Sequence, residues 1–204
     1  MKRITLILIL LSLSIISSAQ TDLIPLSVGN QWKYVGQKTI KGETQPFSDT
    51  IVSKVEKGFK FLDTEWLKYT EIDTKFYYCL YKGDIYETFL EEETSGRLSE
   101  PTLIFKSPKG VKKIPYTYIC EYKYIGENKS IPNPGIITTI RQVNEKVEIR
   151  GKLYKCHIYE LKGEYYSYMY YIQPGIGVVK FIRTTDEPDF KLVESFELVD
   201  YTIN

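Results

Sequence analysis

Apolar and polar residues alternate with a period of two along most of the chain, the spacing at which successive side chains of a strand reach opposite faces of a sheet. Beyond the first twenty residues, apolar positions do not recur at the three- and four-residue spacing of an amphipathic helix. Gly, Pro, Asn and Asp interrupt the alternation about every ten residues, as between the strands of a meander. The pattern predicts strands over residues 31–39, 49–56, 65–72, 75–81, 84–90, 103–106, 117–125, 137–143, 154–161, 165–172, 177–184 and 190–200. Two hairpin turns are legible at Lys82-Gly83-Asp84 and Lys162-Gly163-Glu164, where glycine is expected to supply the positive φ of a tight turn. Segments 91–101 and 126–135 read as loops, the first exposed because Glu91, Glu92 and Glu93 repel one another unless solvated. The strand over 165–172 is aromatic or apolar on both faces, which places it centrally in the sheet.

The first twenty residues break this pattern. Lys2 and Arg3 precede an apolar run from Ile4 to Ile16, and Ser17 and Ala19 are the small residues of a cleavage site before Gln20. At about 1.5 Å per residue the run covers about 20 Å of a hydrocarbon core roughly 30 Å thick, so it reads as a cleaved secretory signal rather than a retained anchor. The first cysteine is Cys79, so none stands at the cleavage site to carry a lipid, and no later segment is apolar and long enough to span a membrane as a helix. The expected organisation is a signal peptide over 1–19 and a single β domain over 20–204, in the periplasm or the medium.

Charge narrows the partners. Lys plus Arg number 27 and Asp plus Glu 26, and the net charge of +1 becomes −1 once Lys2 and Arg3 leave with the signal. That balance offers no field for nucleic acid or an anionic membrane. The densest basic stretch, Lys106, Lys109, Lys112 and Lys113, reads as a solvated loop.

Catalytic chemistry finds little footing. Three widely spaced cysteines, Cys79, Cys120 and Cys156, allow one disulfide or none, and with His157 as the one histidine no zinc-type ligand set arises. Neither a metal nor another cofactor is expected. Cys156 and His157 are adjacent, but on a strand they face opposite ways and cannot form a dyad. No Gly-x-Ser-x-Gly elbow is present. The carboxylates Asp63, Glu65, Glu71 and Asp73 read as solvated strand ends or turns. The chain is not expected to be an enzyme.

Two segments carry a resemblance. The first is Leu23-Ile24-Pro25-Leu26-Ser27-Val28-Gly29-Asn30-Gln31-Trp32-Lys33-Tyr34. The second runs from Gly151 to Cys156 and then through Tyr170-Tyr171-Ile172-Gln173-Pro174-Gly175-Ile176-Gly177-Val178-Val179-Lys180. Together they resemble the TapB-like family of secreted bacterial β-proteins, which open on a PL-x-x-G-x-x-W-x-Y stretch and close on YAPGVGLVK. Gln173 departs from the alanine common there, and the middle of the chain lies outside the match. The resemblance implies a strongly curved antiparallel sheet, an open or half-closed barrel like that of lipoprotein carriers, in a bacterial envelope setting. It implies no activity. From the residues themselves, Pro174-Gly175-Ile176-Gly177 is a turn between strands rather than a phosphate loop, because a strand pattern follows it. Trp32 and Tyr34 share one face of the first strand, and Trp32 is expected in the core.

Tyrosine, 18 residues in all, supplies the remaining candidate. Tyr116, Tyr118, Cys120, Tyr122 and Tyr124 fall on one face of their strand, and Tyr166, Tyr168 and Tyr170 form a second ladder. Buried phenols need hydrogen-bond partners, so a stripe of Tyr suits a wet concave surface better than a dry core; cross-strand aromatic pairing on an ordinary sheet remains the alternative. The ligand-binding candidates are Tyr116, Tyr118, Tyr122, Tyr124, Tyr166, Tyr168 and Tyr170, offered to an amphipathic lipid or glycan. The competing reading is a structural or assembly protein whose sheet edges dock onto an envelope partner protein.

Overall fold

The computed structural model describes residues 22–47, 49–61, 63–71, 74–88, 100–120 and 136–204. The described residues form thirteen strands and no helix: β1 (Gln31–Ile40), β2 (Glu43–Pro46), β3 (Ile51–Phe61), β4 (Thr64–Glu71), β5 (Thr74–Tyr81), β6 (Asp84–Thr88), β7 (Thr102–Phe105), β8 (Tyr116–Cys120), β9 (Ile136–Ile149), β10 (Lys152–Lys162), β11 (Tyr166–Gln173), β12 (Gly177–Glu187) and β13 (Phe190–Thr202). Every pairing is antiparallel, as short hairpin connections require. At Lys82-Gly83 both residues take positive φ, the backbone that reverses a two-residue hairpin without splaying its strands.

The strands lie in the order β7-β6-β5-β4-β3-β1-β13-β12-β11-β10-β9-β8, with β2 attached to the far half of β1. The first and last long strands therefore meet in mid-sheet, while β7 and β8, consecutive in the chain, form its two edges. The sheet curls until those edges approach, giving a barrel that is nearly closed, with an unsealed seam. Side chains rather than a backbone ladder bridge that seam. The Tyr118 hydroxyl donates to Ile104 O at 2.8 Å and accepts the Lys106 N–H at 3.0 Å, and the Cys120 thiol donates to Leu103 O at 2.9 Å. Tyr159 adds a bond to Lys106 O at 2.7 Å. Register shifts that leave an extra residue in β3, β9, β12 and β13 mark bulges, which raise local twist and help a sheet close.

The interior face is aromatic. Phe196, Phe181, Tyr170, Tyr159 and Ile140 are successive cross-strand partners from β13 to β9. Phe181 stacks on Phe196 at 4.5 Å, and Phe105 reaches from β7 to meet Tyr159 and Tyr170 edge-on at 5.3 and 5.2 Å. Pairs of this kind contribute about 0.5–1.5 kcal/mol each beyond their buried area.

The all-β curved sheet is as the alternation and the resemblance imply, and β11 is central, between β10 and β12. Four details differ from the sequence reading. β2 is an additional strand: its residues Glu43-Thr44-Gln45-Pro46 are all exposed, so no alternation marks them, and Pro46 is tolerated because β2 is a peripheral strand. β9 runs on to Ile149, past Asn144, whose positive φ sits in a bulge opposite His157. Gly163 does not take positive φ. Its lack of a side chain serves the Tyr166 ring, which would lie 2.5 Å from a Cβ at that position. The fourth, the burial of Glu71, shapes the site described below. All three cysteines are free and buried. The signal segment, the end of the predicted strand 117–125, the loop 126–135 and most of the loop 91–101 lie outside the described residues; Glu100 and Pro101 are exposed.

Candidate functional site

The barrel has two unlike ends. At the floor, where β1 begins, the two segments that carry the family resemblance meet. The Trp32 indole donates to Ile176 O at 2.5 Å, and the Tyr34 hydroxyl donates to Val178 O at 2.8 Å. Ile176 N–H closes a turn onto Gln173 O at 3.0 Å, with Gly175 at positive φ following Pro174, the geometry of a type II turn. Gly177 lets the indole lie flat against the turn, since a Cβ there would stand 3.2 Å from the ring. Asn30 ties the segment before β1 to the one after β13, donating to Pro25 O at 2.7 Å and accepting from Asn204 N at 2.8 Å. Trp32 and Tyr34 are fully buried, and Leu23 and Ile24 pack into the same core.

The other end, the mouth, is polar. Ile40, Leu192, Thr185 and Tyr166 are successive cross-strand partners there. One row deeper come Lys38, Glu194, Arg183 and Tyr168, and then Phe196, Phe181 and Tyr170. Tyr166, Tyr168 and Tyr170 follow one another at 5.7 and 6.0 Å, passing from half-buried at the rim to 6% exposed below. Arg183 is held by Glu194 through a 2.5 Å bond, which raises its pKa.

Glu71, the last residue of β4, faces this ladder from the opposite wall. It is 7% exposed and accepts the Tyr170 hydroxyl at 3.1 Å, although four strands separate β4 from β11 in the sheet, so the bond crosses the interior. Burial pushes the Glu71 carboxyl up to about 7, against the opposing pull of the Tyr170 bond and of Arg183. Burial, reinforced by the Glu71 charge, pushes the Tyr34, Tyr69 and Tyr170 phenols up in turn. For Tyr78 the causes are burial and then Glu87. The expectation of a solvated Glu71 is therefore overturned. In β4 it lies two residues beyond the buried Tyr69, which puts both side chains on the inward face. That shared parity with Leu67 and Tyr69 was the available signal. Asp63 and Glu65 are exposed as expected, and Asp73 lies outside the described residues.

Of the seven candidate tyrosines, the structure brings Tyr166, Tyr168 and Tyr170 together on the inward face of β11. Tyr118 stands on β8, one strand beyond the β10–β9 pair, and is engaged in the seam. Tyr116, at 37% exposure, contacts Tyr118 at 6.0 Å. Tyr122 and Tyr124 lie outside the described residues. His157 accepts the Asn144 N–H through Nδ1 at 3.2 Å, and burial lowers its pKa. Burial pushes the Cys156 thiol up to about 11, which keeps it protonated and poorly nucleophilic at neutral pH. Among the described residues no group of three His, Cys, Asp or Glu side chains gathers to hold a metal. What the mouth can do is stack a ligand on phenol rings, hydrogen-bond to it through hydroxyls, and meet charge with Glu71 and Arg183.

No family model matches the chain, and no curated protein does. Two solved structures are similar in chain path. One is a protein of Bacteroides fragilis described as exported and as having a YmcC-like fold, with a TM-score of 0.47 and 10% identity over 88% of this chain and 98% of that one. The other is a protein of Parabacteroides distasonis described as a lipoprotein, with a TM-score of 0.42 and 12% identity over 88% of this chain and 99% of that one.

Proposed function

We propose that the protein is an extracytoplasmic, non-catalytic binding module of the TapB-like kind, delivered by its signal peptide and using the barrel mouth to hold an amphipathic lipid or glycan. The observation that carries this reading is the Tyr166-Tyr168-Tyr170 ladder, which descends from the rim to a buried carboxylate on the inner face of a barrel whose other end is packed shut. Rings that only stabilised a sheet gain nothing from this gradient. A ligand does, because the rim hydroxyls can bond to its polar part while the rings stack on its apolar part.

Native mass spectrometry of protein purified from its own envelope tests the reading. A lipid or glycan retained at one per chain is the expected result, lost when Tyr166 and Tyr168 are both changed to Ala. A bare chain that retains no such molecule overturns it.

A second reading, docking onto an envelope partner protein, draws on the outer face beside the seam. There Ile119 and Ile137 form a cross-strand pair on edge strand β8 and its neighbour, exposed at 64% and 45%. A partner chain co-purifying with the bare protein favours it.

A further inference from the structure

Among the described residues, Glu71 is a buried carboxyl without a cation of its own. It is buried at the mouth end of β4, and among the described residues it accepts a side-chain hydrogen bond from a neutral phenol, Tyr170. Among the described residues, the charged groups that act on it from neighbouring elements are few. Arg183 on β12 is the cation that acts on it, and Arg183 is committed to Glu194 on β13. Tyr34 on β1, Tyr69 on β4, Tyr78 on β5, and Tyr168 and Tyr170 on β11 are the titratable groups that feel its charge. A carboxylate ringed by phenols, with electron-rich ring faces and oxygen acceptors, is the environment that recognises an ammonium group. A second observation points the same way. Ser53 on β3 precedes Lys54, the partner of Thr70, which sets Ser53 beside Glu71 on the inward face. Its hydroxyl is fully buried and, among the described residues, has only a poorly aligned contact with the Tyr69 hydroxyl. A buried hydroxyl so poorly paired is costly unless a guest completes it.

We infer that the ligand held at the mouth carries a cationic, amine-derived head group, and that Glu71 receives this group in exchange for its own proton, with Ser53 as an accompanying acceptor. The inference rests on the reading of the mouth as a ligand site. An ammonium at Glu71 neutralises a buried charge that otherwise requires protonation, and the half-buried Tyr166 and Tyr168 stack along the apolar part behind it.

Isothermal titration calorimetry with dodecylammonium, dodecyl sulfate and dodecyl maltoside, below their micelle concentrations, separates head group from tail, and the primary ammonium supplies the N–H donors that Ser53 would accept. The expected result is roughly tenfold tighter binding of the cation than of the sulfate at about pH 8.5, shrinking towards about pH 5.5 as the carboxyl takes up its proton. Glu71→Gln is expected to abolish both the preference and its pH dependence while maltoside binding persists. Ser53→Ala, a change too small to threaten the fold, is expected to weaken cation binding alone. Equal affinity for cation and sulfate, a preference for sulfate, or a cation preference that survives Glu71→Gln overturns the inference and leaves the mouth a ligand site. Failure of all three amphiphiles to bind the unaltered protein overturns the reading of the mouth itself.

Discussion

The floor and the mouth of this barrel use the same residue type to opposite ends. At the floor, Tyr34 and Trp32 direct their polar atoms at backbone carbonyls, Val178 O and Ile176 O. Carbonyls do not titrate, so those bonds are the same at every pH. At the mouth, Tyr170 directs its hydroxyl at Glu71, and Arg183 directs its guanidinium at Glu194. There the partner is ionisable, so the same phenol becomes part of a responsive site. A tyrosine is thus architecture or chemistry according to what its hydroxyl meets.

The comparison is most severely tested at Trp32. Replacing this fully buried indole with Ala empties the floor and removes the bond to Ile176 O, so an expected loss of about 3–5 kcal/mol in urea unfolding follows. That loss should be almost independent of pH. Retention of full stability would show that the floor is not what closes the barrel.

Glu71 provides the next largest effect, and the sign is fixed by its raised pKa. Between the ordinary value of 4.5 and about 7 the folded chain holds a proton that the unfolded chain has released. The contribution of Glu71 is therefore fully favourable below about pH 4.5 and is lost as pH rises through about 7, a decline of at most roughly 3 kcal/mol. Glu71→Gln should flatten this part of the stability profile and leave the variant the more stable of the two at about pH 8. A parallel fall in both proteins would assign the pH dependence elsewhere.

The finest test compares tyrosines. Tyr34→Phe leaves Val178 O without its donor in the core and should cost about 1–2 kcal/mol, whereas Tyr166→Phe at the half-buried rim should cost under about 0.5 kcal/mol. Thermal denaturation of the two variants reads the difference, and equal losses would erase the distinction between floor and mouth.

Much of the architecture was legible in particular residues. The alternation in Phe190–Thr202, where Phe196 and Leu198 are buried between Ser195, Glu197 and Val199, specified a strand, because a half-buried sheet needs period two. Glu43–Pro46 was not legible, since a peripheral strand exposed on both faces carries no alternation. The turn at Gly163 was legible, but its cause was not: the nearby Tyr166 ring, rather than backbone conformation, requires glycine there. In the site, the ladder Tyr166, Tyr168 and Tyr170 could be read from its parity. The inward parity of Glu71 was readable from Leu67 and Tyr69, but its bond to the ladder was not, because that bond joins residues 99 positions apart across the barrel.

By itself the sequence determined the strand periodicity, the buried face of β1 and the turn at Pro174-Gly175, since each depends on neighbours within a few residues. Tertiary structure alone decided that the two resemblance segments touch, that β7 and β8 meet at a seam bridged by Tyr118 and Cys120, and that Glu71 is enclosed by phenols. Those outcomes depend on how far the sheet curls, a property summed over twelve strands and their bulges. Burial, and with it the charge state of Glu71, follows from that closure.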